Sequence, residues 1–150
     1  MRDDLNVYGQ PLAPCSGRGM ANTGYTREGK CFTRPDDRGK HHICIDLENE
    51  KGFCHSTGQG NWCNKMQPCD GDPGKKCGIK NWCVCEWAFA DYVKKNVNQL
   101  EDCPQMKCDA INGKVIEHYM NNFGEPGVEK ALNCIVKRCE LSRPRRKLIA

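Results

Sequence analysis

Apolar positions concentrate in one stretch of this chain. Residues 81–92 read Asn-Trp-Cys-Val-Cys-Glu-Trp-Ala-Phe-Ala-Asp-Tyr, the densest apolar run in an otherwise polar sequence. If residues 82–85 are extended, side chains alternate and Cys83 and Cys85 point to one face. From Glu86 the period lengthens. Phe89, Val93, Val97 and Leu100 recur at steps of four, four and three, one stripe of a helix, with Trp87 and Ala90 beside it. The pattern predicts a strand running into a helix, with tryptophans packed at the junction.

A second alternating run, 41–47, places Ile43, Ile45 and Leu47 on one face and His42, Cys44 and Asp46 on the other, which predicts a strand. Before it, Gly9, Pro11 and Pro14 exclude a helix. Residues 25–33 are expected to form a short strand pair turning at Glu28-Gly29, and 34–39 a further turn. After the central helix, Cys103 and Cys108 bracket a bend at Pro104. Asn112 is positioned to cap a short helix carrying Val115, Ile116, Tyr119 and Met120, stopped by Gly124. Pro126 suits the first turn of a last helix, ended by Pro144, whose apolar stripe is Val128, Ala131, Leu132, Ile135, Val136 and Cys139. Cys139 then points inward. Cys134 lies on the opposite side, where it meets either a covering segment or another protein, and is the candidate partner-facing residue. The fold class expected is α+β: one small, loop-rich, disulfide-rich domain over 1–150, with short strands and two or three helices. Within it, 122–142 is an added C-terminal helix and 143–150 a basic tail.

Composition explains how so polar a chain can hold a fold. With 150 residues it has the length of one domain, yet aromatics are only 7% and mean hydropathy is -0.75, so its core is thin. Thirteen cysteines offset that. This density points to a disulfide framework and an oxidising compartment, such as an organelle lumen, the exterior or a virion. No signal or transit peptide follows Met1, and no apolar run reaches membrane-spanning length. A cytoplasmic metal protein is the competing reading, but Cys-x-x-Cys, the commonest half-site for structural zinc, does not occur. An odd count leaves at least one thiol unpaired within the chain. Arg143, Arg145, Arg146 and Lys147 carry the whole net charge of +4. No basic face with interleaved aromatics accompanies them, so nothing signals nucleic-acid binding.

Three ordered motifs precede Trp82-Cys83-x-Cys85. They are Asn6-Val-x-Gly-x-Pro-Leu-x-Pro-Cys15-Ser, Arg27-x-Gly-x-Cys31-x-Thr, and Asp37-x-Gly-x-His41-x-x-Cys44. In this order they resemble the uncharacterised family catalogued as domain of unknown function 2237, over about residues 5–121. The resemblance implies a shared set of Cys15, Cys31, His41, Cys44, Cys83 and Cys85, and no activity. Lys30 stands where the bacterial pattern has the first of two adjacent cysteines. Residues 54–78 replace a Pro-rich acidic loop with four cysteines among glycines and prolines.

The cysteines thus fall into two sets. Cys54, Cys63, Cys69, Cys77, Cys103, Cys108, Cys134 and Cys139 are additions and disulfide candidates, enough for four local bridges. Cys15, Cys31, Cys44, Cys83 and Cys85 with His41 hold enough soft ligands for zinc or an iron–sulfur cluster. A reactive cysteine would need a base such as His41 or His42. Asp36 and Asp37 read as solvated turn residues, and Asp70 and Asp72 as loop acids without calcium-loop spacing. The function expected is a non-catalytic, disulfide-stabilised binding or structural accessory subunit of a larger assembly, acting through a protein partner and without a cofactor. The alternative is a metal-binding or thiol-redox protein centred on the Cys-x-Cys pair.

Overall fold

The computed structural model describes residues 4–48, 52–56 and 62–142. The basic tail at 143–150, with Pro144, lies outside them. Two short ribbons and four helices carry the regular structure. In chain order these are β1 (Ile43–Asp46), α1 (Gly52–Ser56), β2 (Gln67–Cys69), β3 (Asp72–Cys77), β4 (Asn81–Val84), α2 (Glu86–Asn96), α3 (Lys114–Asn121) and α4 (Val128–Cys139). The α+β architecture expected from the sequence is present. The described residues include no helix long and apolar enough to cross a membrane.

β1 and β4 pair antiparallel, with Ile43 opposite Val84 and Cys44 opposite Cys83. Cross-strand partners share a face, so Cys44 and Cys83 stand side by side. Each bonds to the irregular N-terminal segment, in the disulfides Cys15–Cys44 and Cys31–Cys83. Some forty residues with no long element of their own are thereby pinned to the ribbon. This is why β1 differs from the half-buried strand that its alternation predicts: residues 42–45 are all buried.

The expected strand pair at 25–33 does not form. Gly24, Arg27 and Gly29 all have positive φ, at 97°, 57° and 81°, which coils the segment into turns and breaks any ladder. β2 and β3 form a separate hairpin closed by Cys69–Cys77, and Cys54–Cys63 staples the segment before it.

The central helix follows its predicted stripe up to Val97. Phe89 and Val93 are fully buried, and Val97 leaves the helix in an extended conformation. Leu100 drops out of the stripe. Gln99 and Asp102 form a capping box that starts a new short turn, and Leu100 within it is exposed. Asn112 stands one residue before the N-cap of α3, which is Gly113 and not Asn112 as expected. The Asn112 Oδ1 accepts from the Lys114 N–H at 3.0 Å, while its Nδ2 donates to the Cys31 carbonyl and to Asp4 Oδ2.

Of the two alternatives for Cys134, the structure shows the covering segment and corrects the partner-facing one. Cys134 faces no partner protein: it is completely buried and bonded to Cys103, while Cys139 is bonded to Cys108. The bend around Pro104 lays residues 103–108 over α4, so the side read as outer is covered by the chain itself. With Ala131, Leu132 and Ile135, both bridges join α4 to the single core of α2, α3 and the β1–β4 ribbon.

Candidate functional site

Twelve of the thirteen cysteines are in disulfides, and Cys85 alone is free. The eight cysteines outside the set implied by the resemblance pair among themselves. Of the five cysteines implied by the resemblance, four make the two bridges that pin the N-terminal segment. The sulfurs of Cys15, Cys31 and Cys44 lie within 4.8 Å of one another because those bridges are neighbours. As disulfides they present no thiolate to a metal. The Cys-x-Cys pair therefore divides: Cys83 is structural and Cys85 keeps its thiol.

The division follows from backbone geometry. Cys83 is inside β4, whereas Cys85 is the N-cap residue of α2. A side chain at that point lies against the unsatisfied N–H groups of the first helical turn. The nearby Trp87 and Ala88 N–H groups favour its ionised form, though neither makes a cap hydrogen bond to the sulfur, and burial dominates and pushes the Cys85 thiol above its usual range. At rest the group is a protonated thiol and needs a base to ionise it.

A base stands across a glycine from it. Cys85, Cys83, His41, Arg27, Trp82 and Phe53 line one open cleft of about 250 Å³. A Cβ built at Gly39 would meet His41 Cε1 at 2.8 Å and Cys85 Sγ at 3.3 Å, so the ring and the sulfur both lie against this glycine. His41 is held from behind. Its Nδ1 lies 2.7 Å from Asp37 Oδ1, and its backbone N–H donates to Asp37 Oδ2 at 2.9 Å. The Asp37 side chain is only 1% exposed, which corrects its reading as a solvated turn acid: it turns inward to serve His41. An Nδ1–H bound to this carboxylate leaves Nε2 as the basic nitrogen. Tyr25 stacks on the imidazole with ring centroids 5.9 Å apart. The Arg27 guanidinium lies 4.8 Å over the Trp82 ring and donates to the Gly24 carbonyl, and burial lowers its pKa. The cleft thus has an aromatic wall, a cation and a thiol.

The chain neighbours of these residues make a second cluster in the core. His42 Nδ1 lies 2.6 Å and His118 Nδ1 2.8 Å from Glu86 Oε1, and His42 Nε2 lies 2.9 Å from Thr33 Oγ1. Burial pushes Glu86 up to about 8 and His42 down to about 3, and lowers His118 as well. The Tyr119 hydroxyl donates to the Glu86 carbonyl at 2.6 Å.

Of the residues expected to form a site, the structure brings His41, Cys83 and Cys85 to one cleft and puts Cys15, Cys31 and Cys44 into bridges. Sequence reasoning missed Arg27, Asp37, Gly39, Trp82 and Glu86 as site residues. A signal existed for most of them: Arg27, Asp37, Gly39, His41 and Trp82 all belong to the ordered motifs, and all converge here. Gly39→Ala is expected to slow alkylation of Cys85 by about tenfold while changing stability by less than about 1 kcal/mol, since the displaced ring is flexible. Iodoacetamide labelling beside urea unfolding measures both; an unchanged rate would show that this close approach does not govern the thiol.

Residues 5–122 match the family described as "uncharacterized protein conserved in bacteria (DUF2237)". No curated protein matches the chain.

Proposed function

This chain belongs to that uncharacterised family, and from that premise we propose that it is a disulfide-stapled scaffold for a thiol-active cleft. Cys85 is the nucleophile, His41 the base and Asp37 the residue that orients it. The single observation carrying this reading is that the one cysteine outside the disulfide network shares a cleft with a carboxylate-held histidine. It narrows the thiol reading of the sequence from two cysteines to one. A cleft of about 250 Å³ suits a small group rather than a drug-sized ligand. The Arg27 guanidinium over Trp82 suits a ligand with a flat apolar body and an anionic substituent.

The chemistry that balances here is thiol–disulfide exchange. His41 takes the Cys85 proton, the thiolate attacks one sulfur of a small disulfide, a mixed disulfide forms, and the released thiolate takes the proton. Nothing in this step reduces the structural bridges. The test uses an aryl disulfide bearing a carboxylate, whose released thiolate is coloured. One equivalent is expected from the intact oxidised protein and none from Cys85→Ser. His41→Gln is expected to slow the reaction by about 100-fold. An equal rate in His41→Gln would remove the base from the proposal and leave only an accessible thiol.

Six bridges also favour a second reading, a non-catalytic binding or structural accessory subunit in a lumenal, secreted or virion setting. It predicts a protein partner that co-purifies equally well with Cys85→Ser. The disulfides are consistent with an oxidising environment under either reading.

A further inference from the structure

The geometry points to a divalent transition-metal site, of the zinc class, formed by His42, Glu86 and His118. No motif in the sequence marks it, and it is separate from the thiol cleft. One ligand atom from each residue falls within 4.8 Å of the others. Two imidazoles and a carboxylate form the ligand set of borderline ions such as zinc or cobalt, not of calcium or magnesium, which take mostly oxygen.

Three further observations support an ion here. First, Glu86 Oε2 is completely buried and has no hydrogen-bond partner among the described residues. A carboxylate oxygen left bare in a packed core is costly, and since both imidazoles face Oε1, a cation taken by both carboxylate oxygens would satisfy it. Second, His42 Nε2 is engaged by the Thr33 hydroxyl at 2.9 Å. When that hydroxyl accepts Nε2–H, the Nδ1 lone pair is turned toward Glu86, the outer hydrogen bond that metal-bound histidines characteristically make. Third, the His118 side chain is 27% exposed while those of His42 and Glu86 are fully covered. The site is therefore reached from solvent at His118. The present nitrogen–oxygen contacts of 2.6 and 2.8 Å are hydrogen-bond lengths. Metal bonds of about 2.0–2.1 Å at a tetrahedral centre set ligand atoms roughly 3.3 Å apart. The His118 contact must open by about 0.5 Å, which this partly exposed ring can supply, and the His42 contact by about 0.7 Å, which the buried Glu86 carboxyl must supply by turning.

The test is a cobalt(II) titration of the full oxidised chain after treatment with a chelator, read by visible absorption and by the thermal midpoint. Saturation at one equivalent is expected, with ligand-field bands, no thiolate-to-cobalt charge-transfer band, and a raised midpoint. His118→Gln and Glu86→Gln are expected to weaken binding by more than about 100-fold, and Thr33→Val by about tenfold. Cys85→Ser should bind as the native chain does. His118→Gln lies at a partly exposed position, and its midpoint in chelator reports its fold independently of binding. The proposal is overturned if cobalt does not saturate at one equivalent, if a folded His118→Gln binds normally, or if a charge-transfer band disappears with Cys85→Ser. That last result would move the metal to the thiol.

Discussion

Replacing Cys31 and Cys83 together with serine is expected to lower the unfolding free energy by about 4 kcal/mol, from the loop-closure entropy of a crosslink of this span. The bridge joins residues 52 apart, and it fastens the turns of the N-terminal segment to β4. Both cysteines are buried, so two hydroxyls in their place would also need partners. Against a typical total of about 5–15 kcal/mol, such a loss leaves little margin. The comparison is with Cys69–Cys77, which spans 8 residues of a mostly exposed hairpin; its removal is expected to cost about 2 kcal/mol. Urea unfolding of the two double variants measures both. If the hairpin bridge proves the costlier, the N-terminal segment is held mainly by its hydrogen bonds and packing, not by the crosslink.

The second large effect concerns the junction between α2 and α4. Gly127→Ala is expected to destabilise the chain by about 3 kcal/mol, combining left-handed strain with overpacking. Gly127 has φ of 83°, and a Cβ there would sit 2.4 Å from the Ala90 carbonyl oxygen and 3.0 Å from Lys94 Cβ. The oxygen belongs to the backbone of a helix and cannot swing aside. Gly124→Ala is the control, since a Cβ at that position meets nothing within 4 Å. Thermal unfolding of the two variants separates the causes. Equal midpoints would mean that α4 can shift on α2 without loss, despite its two disulfides.

Gly127 lies in the segment beyond the family match. The match ends at residue 122, so α4 lies beyond it. Its Cys134 and Cys139 bond to Cys103 and Cys108, both inside the matched region. The helix is fastened to the matched region covalently at two points and pressed against α2 at Gly127. It extends the core and presents no thiol to a partner.

The sequence by itself determined the framework. Thirteen cysteines in a polar chain implied disulfides and an unpaired thiol, and periodicity located α2, α3, α4 and the β1–β4 segments. These are local or compositional properties: a helical stripe or a strand alternation is written in a dozen residues. The order of short motifs likewise revealed the family. Pairing is different in kind, because several connectivities satisfy the same spacings and only the folded path selects one. The tertiary structure therefore decided that Cys83 would be a bridge and Cys85 a thiol, although they stand two residues apart. It decided that Cys134 would be covered, because the segment reaching over it comes from 31 positions earlier. It turned Asp37 inward, because its carboxylate bonds the backbone and ring of His41. It also set two clusters on adjacent residues, with His41 and Cys85 lining a cleft and His42 and Glu86 buried beside them. Neighbouring side chains leave the backbone in different directions, and what each one meets is fixed by distant segments that the linear pattern does not encode.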